Sequence, residues 1–145
     1  MKIAIGSDHG GYELKEYIKL YLDSKDISYV DFGTDSLASV DYPDYARKVG
    51  LAVTKEHYDF GIVICGTGIG ISIAANKVKG VRAALVYDEH TARLAKQHNN
   101  ANVIALGGRT TDKDKAISII DTYMAETFEA RHQPRIDKIK DIEGN

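Results

Sequence analysis

Short runs of apolar residues, each closing on a glycine or a polar residue, alternate along this chain with longer segments whose apolar side chains recur every three or four positions. The short runs are Lys2–Ser7, Ser28–Gly33, Phe60–Cys65, Val81–Val86 and Asn102–Leu106, rich in Val and Ile, and they predict five buried strands. Leu14, Tyr17, Ile18, Tyr21 and Leu22 make one face of a first helix. Tyr45, Ala46, Val49, Ala52 and Val53 do the same in a second, where Pro43 suits the N-terminus through its fixed φ and missing donor. Further helices are predicted after Gly70, over Thr91–His98, over Ala116–Phe128 and over Arg135–Ile142, the last with Ile136, Ile139 and Ile142 on one stripe. Strands and helices in alternation are the signature of βαβ units around a parallel sheet. With no linker composition along the way, residues 1–145 read as a single α/β domain with a C-terminal helical segment at about 133–143.

That architecture says where to look for function. Right-handed crossovers place helices on both faces of such a sheet, and ligands bind outside the carboxyl ends of the strands where the strand order reverses. The loops after the predicted strands are Ser7-Asp8-His9-Gly10-Gly11, Gly33-Thr34-Asp35, Cys65-Gly66-Thr67-Gly68-Ile69-Gly70, Tyr87-Asp88-Glu89-His90 and Gly107-Gly108-Arg109. Polar chemistry is concentrated in them.

Composition narrows the function classes. The chain has 145 residues, 43% hydrophobic and 28% charged, enough for a full core without disulfides or metal. A net charge of -2 supplies no general attraction for nucleic acid or anionic lipid, so neither is expected as a partner, and recognition of a phosphate needs a local cluster of cations. No apolar run approaches the roughly 18 residues of a membrane span, so no membrane partner is expected. The first residues lead straight into a strand without signal-peptide architecture, so a cytoplasmic location is expected. The single cysteine, Cys65, permits no intramolecular disulfide and no multi-cysteine metal site; it is either core filling or chemistry.

Gly66, Gly68 and Gly70 let the backbone approach a ligand and turn its amides toward an anion at the start of a helix. A tight turn without a ligand is the plainer alternative. A dinucleotide fingerprint is another: the spacing is G-x-G-x-G rather than G-x-G-x-x-G, yet Asp88 lies about 20 residues on, where a ribose-binding acid is expected. The Walker pattern fails, because no Gly-Lys-Ser/Thr follows. Cys65 would sit in the positive field of the helix N-terminus, which favours a thiolate and hence a base; free cysteines also pack commonly as small hydrophobes. Asp8 either caps the helix after it or serves the site with His9. His98 closes a helix, where a histidine also suits the dipole. Arg109, Arg131 and Arg135 are candidates for the phosphate-binding cations that the overall charge lacks, and each has a solvated surface as its alternative.

Taken together, Ser7-Asp8-His9-Gly10-Gly11, the run from Cys65 to Lys77, His98-Asn99-Asn100-Ala101-Asn102-Val103 and Arg131-His132-Gln133-Pro134-Arg135 strongly resemble the ribose-5-phosphate isomerase B family, from the first strand to Arg135. The resemblance implies a three-layer α/β/α Rossmann-like sandwich with a five-stranded parallel sheet, acting on a small phosphorylated sugar without metal or other cofactor. It implies a homodimer, or a dimer of dimers, with active sites shared between subunits. Carried over, it makes Cys65 the base and the backbone of Gly66, Thr67, Gly68, Ile69 and Gly70 the stabiliser of an enediolate. Thr67 then relays a proton, His98 opens the sugar ring, Asp8 and His9 hold the sugar, and Asn99 completes the pocket. Arg109, Arg131 and Arg135 form the phosphate clamp, joined by His132. Some members place a glutamate just after the glycine loop as the base; Ile71 stands there, which favours the cysteine version.

Aldose–ketose isomerisation needs one base and donors for the developing oxyanion, which these residues offer. Relatives acting on allose 6-phosphate or galactose 6-phosphate are the alternative within this chemistry. A non-catalytic nucleotide-binding module is the alternative outside it. A receiver-like domain is disfavoured, since Asp8-His9, Cys65 and Arg109 stand where it would need an acidic pair, an aspartate and a lysine.

Overall fold

The computed structural model describes residues 1–144. Its strands are β1 (Lys2–Ser7), β2 (Ser28–Asp31), β3 (Phe60–Cys65), β4 (Ala83–Leu85) and β5 (Val103–Gly107). Its α-helices are α1 (Tyr12–Ser24), α2 (Tyr42–Lys55), α3 (Ile69–Ala75), α4 (Glu89–Gln97), α5 (Lys113–Ala125) and α6 (Gln133–Glu143), and short 3₁₀ turns cover His9–Gly11 and Ala130–His132. The strands form one sheet in the order β2-β1-β3-β5-β4, every pairing parallel.

Alternate residues of the strands feed two cores. Ile3, Ile5, Ile62, Ile64, Ile104 and Leu106 pack with Leu14 and Ile18 of α1, Ala92 of α4 and Ile119 of α5. On the other face Ala4, Val63, Cys65, Val103 and Ala105 meet Ala46 and Val49 of α2 and Ile71 and Ala75 of α3. The result is the three-layer α/β/α sandwich expected from the alternation, since strands covered on both sides are apolar on both sides.

Element ends differ from the periodicity where side chains end the pattern early. Strand β2 stops at Asp31, whose Oδ1 accepts from the Gly33 amide at 2.8 Å in a turn of the Asx type. Strand β4 is three residues long because Arg82 lies outside the ladder, its guanidinium donating to the Asn100 carbonyl. Helix α5 begins at Lys113, capped by Asp112, and ends before Phe128. Tyr17 and Tyr21 are half-buried rather than core, with their hydroxyls on Asp114 and Asp121. Of the isoleucine stripe on α6 only Ile136 is buried; Ile142 is 87% exposed. Among the described residues no helix is long and apolar enough to cross a membrane.

One consequence of the topology governs the site. Helix α4 leaves the carboxyl end of β4 and must run back to the amino end of β5, because the two strands are parallel. Its first residue follows Asp88 at one end of the sheet, and its C-cap, His98, lies at the other. Cys65, paired with Gly107, marks the carboxyl end; Phe60 and Val103 mark the amino end. A six-residue strand separates these ends by about 16 Å.

Candidate active site

At the carboxyl end, the loops after β1, β3 and β5 are packed backbone to backbone. The amides of Gly108 and Arg109 donate to the carbonyls of Cys65 and Gly66 at 2.8 and 2.9 Å, and the Asp8 amide donates to the Ile64 carbonyl at 3.3 Å. The contact is too close for side chains: a methyl on Gly10 would lie 2.9 Å from the Gly66 nitrogen, and one on Gly108 would lie 2.5 Å from the Gly10 oxygen. Gly68 has φ +78°, a left-handed conformation that glycine adopts without strain.

This packing uses the loop's carbonyls and leaves its amides. Among the described residues, no acceptor meets the N–H groups of Gly66, Thr67, Gly68, Gly70 or Ile71, while that of Ile69 donates to Thr67 Oγ1 at 3.2 Å. Cys65 immediately precedes these donors and is buried at 5% exposure. Thr67 is exposed beside them, and the Arg109 guanidinium lies over Gly66. An array of unpaired amides held by a rigid backbone can stabilise an anion or an oxyanion.

Asp8 and His9 flank the loop. Asp8 Oδ1 accepts from the Gly11 amide at 3.1 Å and so caps the 3₁₀ turn, leaving its second oxygen without a partner among the described residues. His9 Nδ1 accepts from the Val40 amide at 3.2 Å, so the neutral ring carries its proton on Nε2. Two residues at this end were not singled out in the sequence. Val40 orients His9, and the Tyr42 ring covers Gly70, so that a methyl there would meet it at 2.7 Å. Val40 belongs to the loop between β2 and α2 and Tyr42 is the first residue of α2; neither stands in a local motif.

The other predicted residues gather at the amino end. The His98 and His132 rings stack with centroids 4.2 Å apart. Glu129 Oε1 lies 3.6 Å from His98 Nε2 and 3.7 Å from His132 Nε2, and accepts from Arg131 Nη2 at 3.2 Å. Arg135 Nη1 approaches His132 Nδ1 at 3.4 Å. Burial, then the charges of Arg131, His98 and Arg135, hold the His132 imidazole below its ordinary pKa. Asn99 lines a cavity of about 780 Å³ beside Arg82, Ile139 and Ile142.

Within one chain, therefore, the structure does not unite the predicted set. Asp8, His9, Cys65 to Gly70 and Arg109 share the carboxyl end, whereas His98, Asn99, Arg131, His132 and Arg135 lie at or beyond the amino end. The three arginines expected to form one clamp are divided accordingly. A signal for this was present: His98 precedes a strand, where a helix between parallel strands has to finish at the amino end. Asp88, the ribose-binding acid of the dinucleotide alternative, instead caps α4, accepting from the Thr91 amide at 2.7 Å and hydroxyl at 2.8 Å. Those bonds hold its carboxyl below the usual range.

Comparison with known proteins places this geometry in context. The sequence profile described as Ribose/Galactose Isomerase matches residues 3–139. The ribose-5-phosphate isomerase B of Escherichia coli is 45% identical over 143 residues, covering 98% of this chain and 96% of its own. The solved structure of Clostridium thermocellum ribose-5-phosphate isomerase B superposes with a TM-score of 0.96 at 51% identity, over 99% of this chain and 97% of that one. The Mycoplasma genitalium ribose-5-phosphate isomerase B, solved with bound ribulose-5-phosphate, gives a TM-score of 0.93 at 49% identity, over 98% and 95% of the two chains.

Proposed function

The chain belongs to the ribose/galactose isomerase family, and from that premise we propose that it interconverts ribose 5-phosphate and ribulose 5-phosphate at an active site completed by a second copy of itself. The observation that carries the reading is the row of unpaired amides directly after Cys65 at the carboxyl end of the sheet.

Cys65, as thiolate, takes the proton from carbon 2 of the open-chain aldose and returns it to carbon 1. Between these steps the substrate is an enediolate whose oxygens face the unpaired amides of the loop from Gly66 to Ile71, that of Ile69 being held by Thr67 Oγ1. Those donors are held in place before the charge develops, so they favour the intermediate over the neutral sugar. The Thr67 hydroxyl, exposed beside the loop, carries a proton between the oxygens on carbons 1 and 2. The free oxygen of Asp8 and the Nε2–H of His9 hold the sugar hydroxyls.

Ring opening falls to His98 of a second subunit, since the chain's own His98 lies about 16 Å or more from its Cys65. Arg131, His132, Arg135 and Asn99 arrive with it, and they meet Arg109 around the phosphate. A two-fold dimer makes the exchange reciprocal, each chain giving its carboxyl end to one site and its amino end to the other. Binding of the remote phosphate then helps to orient the reacting carbons.

The test is conversion of ribose 5-phosphate by purified protein in excess EDTA, with allose 6-phosphate and galactose 6-phosphate in parallel. Turnover of the pentose alone is the expected outcome. Turnover of a hexose alone would keep the chemistry and change the substrate, and none at all would return the reading to a binding module.

A further inference from the structure

The amino-end cluster holds a carboxylate where the proposed function puts a phosphate. Glu129 is not among the residues assigned to the reaction, yet its Oε1 is the point on which His98, Arg131 and His132 converge. The fit is poor. One oxygen faces all three partners, and only Arg131 reaches it within hydrogen-bonding distance, at 3.2 Å. His132 Nε2 is buried and has no hydrogen-bond partner among the described residues, in a residue only 5% exposed. Since a guanidinium offers donors only, Arg135 on Nδ1 makes that nitrogen the acceptor and leaves the proton on Nε2. The buried Nε2–H therefore points at an anion it does not reach. A phosphate, with three terminal oxygens, can meet the Arg131 and His132 donors separately and leave His98 to the sugar ring.

The same residues could be mistaken for a metal site, because the ligand atoms of His98, Glu129 and His132 lie within 4.8 Å of one another. The surrounding charge opposes it. Arg135 keeps a proton on the nitrogen that a metal would need bare, and Arg131 already occupies the carboxylate. Two guanidinium groups beside the trio favour an anion over a dication.

Glu129 is also placed to leave. Its amide is anchored to the Gln97 carbonyl at 2.9 Å, while its side chain is 42% exposed and can swing into solvent without moving the backbone. We propose that Glu129 is a built-in competitor of the substrate phosphate: it neutralises the empty clamp and is displaced when phosphate binds, thereby setting substrate affinity and releasing His98 for ring opening. The proposal rests on the isomerase reading for its consequence in turnover, but not for its consequence in phosphate binding.

The experiment compares wild type with Glu129→Gln, which keeps the shape and removes the charge, and with Glu129→Ala. Inorganic phosphate binding is measured by calorimetry, and KM and kcat are measured with ribose 5-phosphate. Both variants should bind inorganic phosphate about fivefold more tightly and lower KM by a similar factor, with kcat held within about twofold and the gain shrinking at high salt. Unchanged or weaker phosphate binding in both variants, with melting temperatures showing them folded, would overturn the proposal and leave Glu129 an organiser of the clamp. If wild type binds phosphate but does not isomerise the sugar, the functional reading fails while the competition is still decided by calorimetry.

Discussion

The two ends of one sheet are built by different means. At the carboxyl end the groups offered to a ligand are mostly backbone amides, held by strand-to-strand hydrogen bonds and by glycines that let three loops touch. At the amino end they are side chains on helix ends and a 3₁₀ turn, arranged around one carboxylate. The first arrangement is fixed by backbone hydrogen bonds, whereas the second is built of side chains that can rotate; among the described residues each end keeps one buried side-chain atom without a hydrogen-bond partner, Ser7 Oγ at the first and His132 Nε2 at the second. The difference suits a reaction in which the developing charge needs fixed donors while the remote phosphate needs capture. On the proposed mechanism, neither end finishes the reaction alone.

The strongest way to test the division is to remove the base. Cys65→Ala should lower kcat by about 10²–10⁴-fold, the usual cost of losing a general base, while inorganic phosphate still binds. Retained turnover would return Cys65 to the role of core filler beside Ile71 and Ala105.

Subunit mixing tests the distance between the two ends directly. Cys65→Ala and His98→Asn proteins, each inactive alone, should recover about a quarter of wild-type activity per subunit after random re-pairing, because half the dimers then carry one intact site. Failure to recover, with exchange of subunits verified, would place both groups in the same chain's site.

A smaller effect is expected from the loop backbone. Gly68→Ala forces a side chain onto φ +78° and within 2.9 Å of the Leu106 carbonyl carbon. It should cost about 1–3 kcal/mol of stability, lower the melting temperature by roughly 3–10 °C and reduce kcat by about 10²-fold as the amides shift. A fall in stability with kcat intact would show that the loop's exact geometry serves the fold alone.

The smallest effect belongs to the amino end and appears as a pH slope. His132 binds its proton less tightly in the folded chain than in the unfolded one. Its contribution to stability is thus whole above the unfolded value of ~6.5 and is lost as pH falls from there through the folded value. Melting temperature followed from neutral to acid pH should fall less steeply in His132→Asn than in wild type. Equal slopes would assign the acid sensitivity to other groups.

Much of this was legible along the chain. Periods of hydrophobicity depend on neighbours a few residues apart, so strand and helix order, the glycine loop behind Cys65 and the capping of the turn by Asp8 were readable from local pattern. Other features depended on partners far away in sequence. Val40 belongs to a loop without a motif, Tyr42 opens α2 outside the apolar face read for that helix, and Glu129 between Phe128 and Ala130 looks like any solvated glutamate. The isoleucine stripe of α6 was visible, but not that Ile139 and Ile142 would stay uncovered by the chain itself.

By itself, then, the sequence determined the alternation of strands and helices, the cysteine followed by a glycine-rich loop, and the kinds of side chain available for a phosphorylated sugar. Only the tertiary structure decided the company each residue keeps. Strand order and the return path of α4 send Cys65 and His98 to opposite ends of the sheet, and packing around Gln97 brings Glu129 beside His98, Arg131 and His132. Local chemistry follows from neighbouring residues; convergence follows from contacts between distant segments, and the energy of those contacts is settled only when the whole chain is packed.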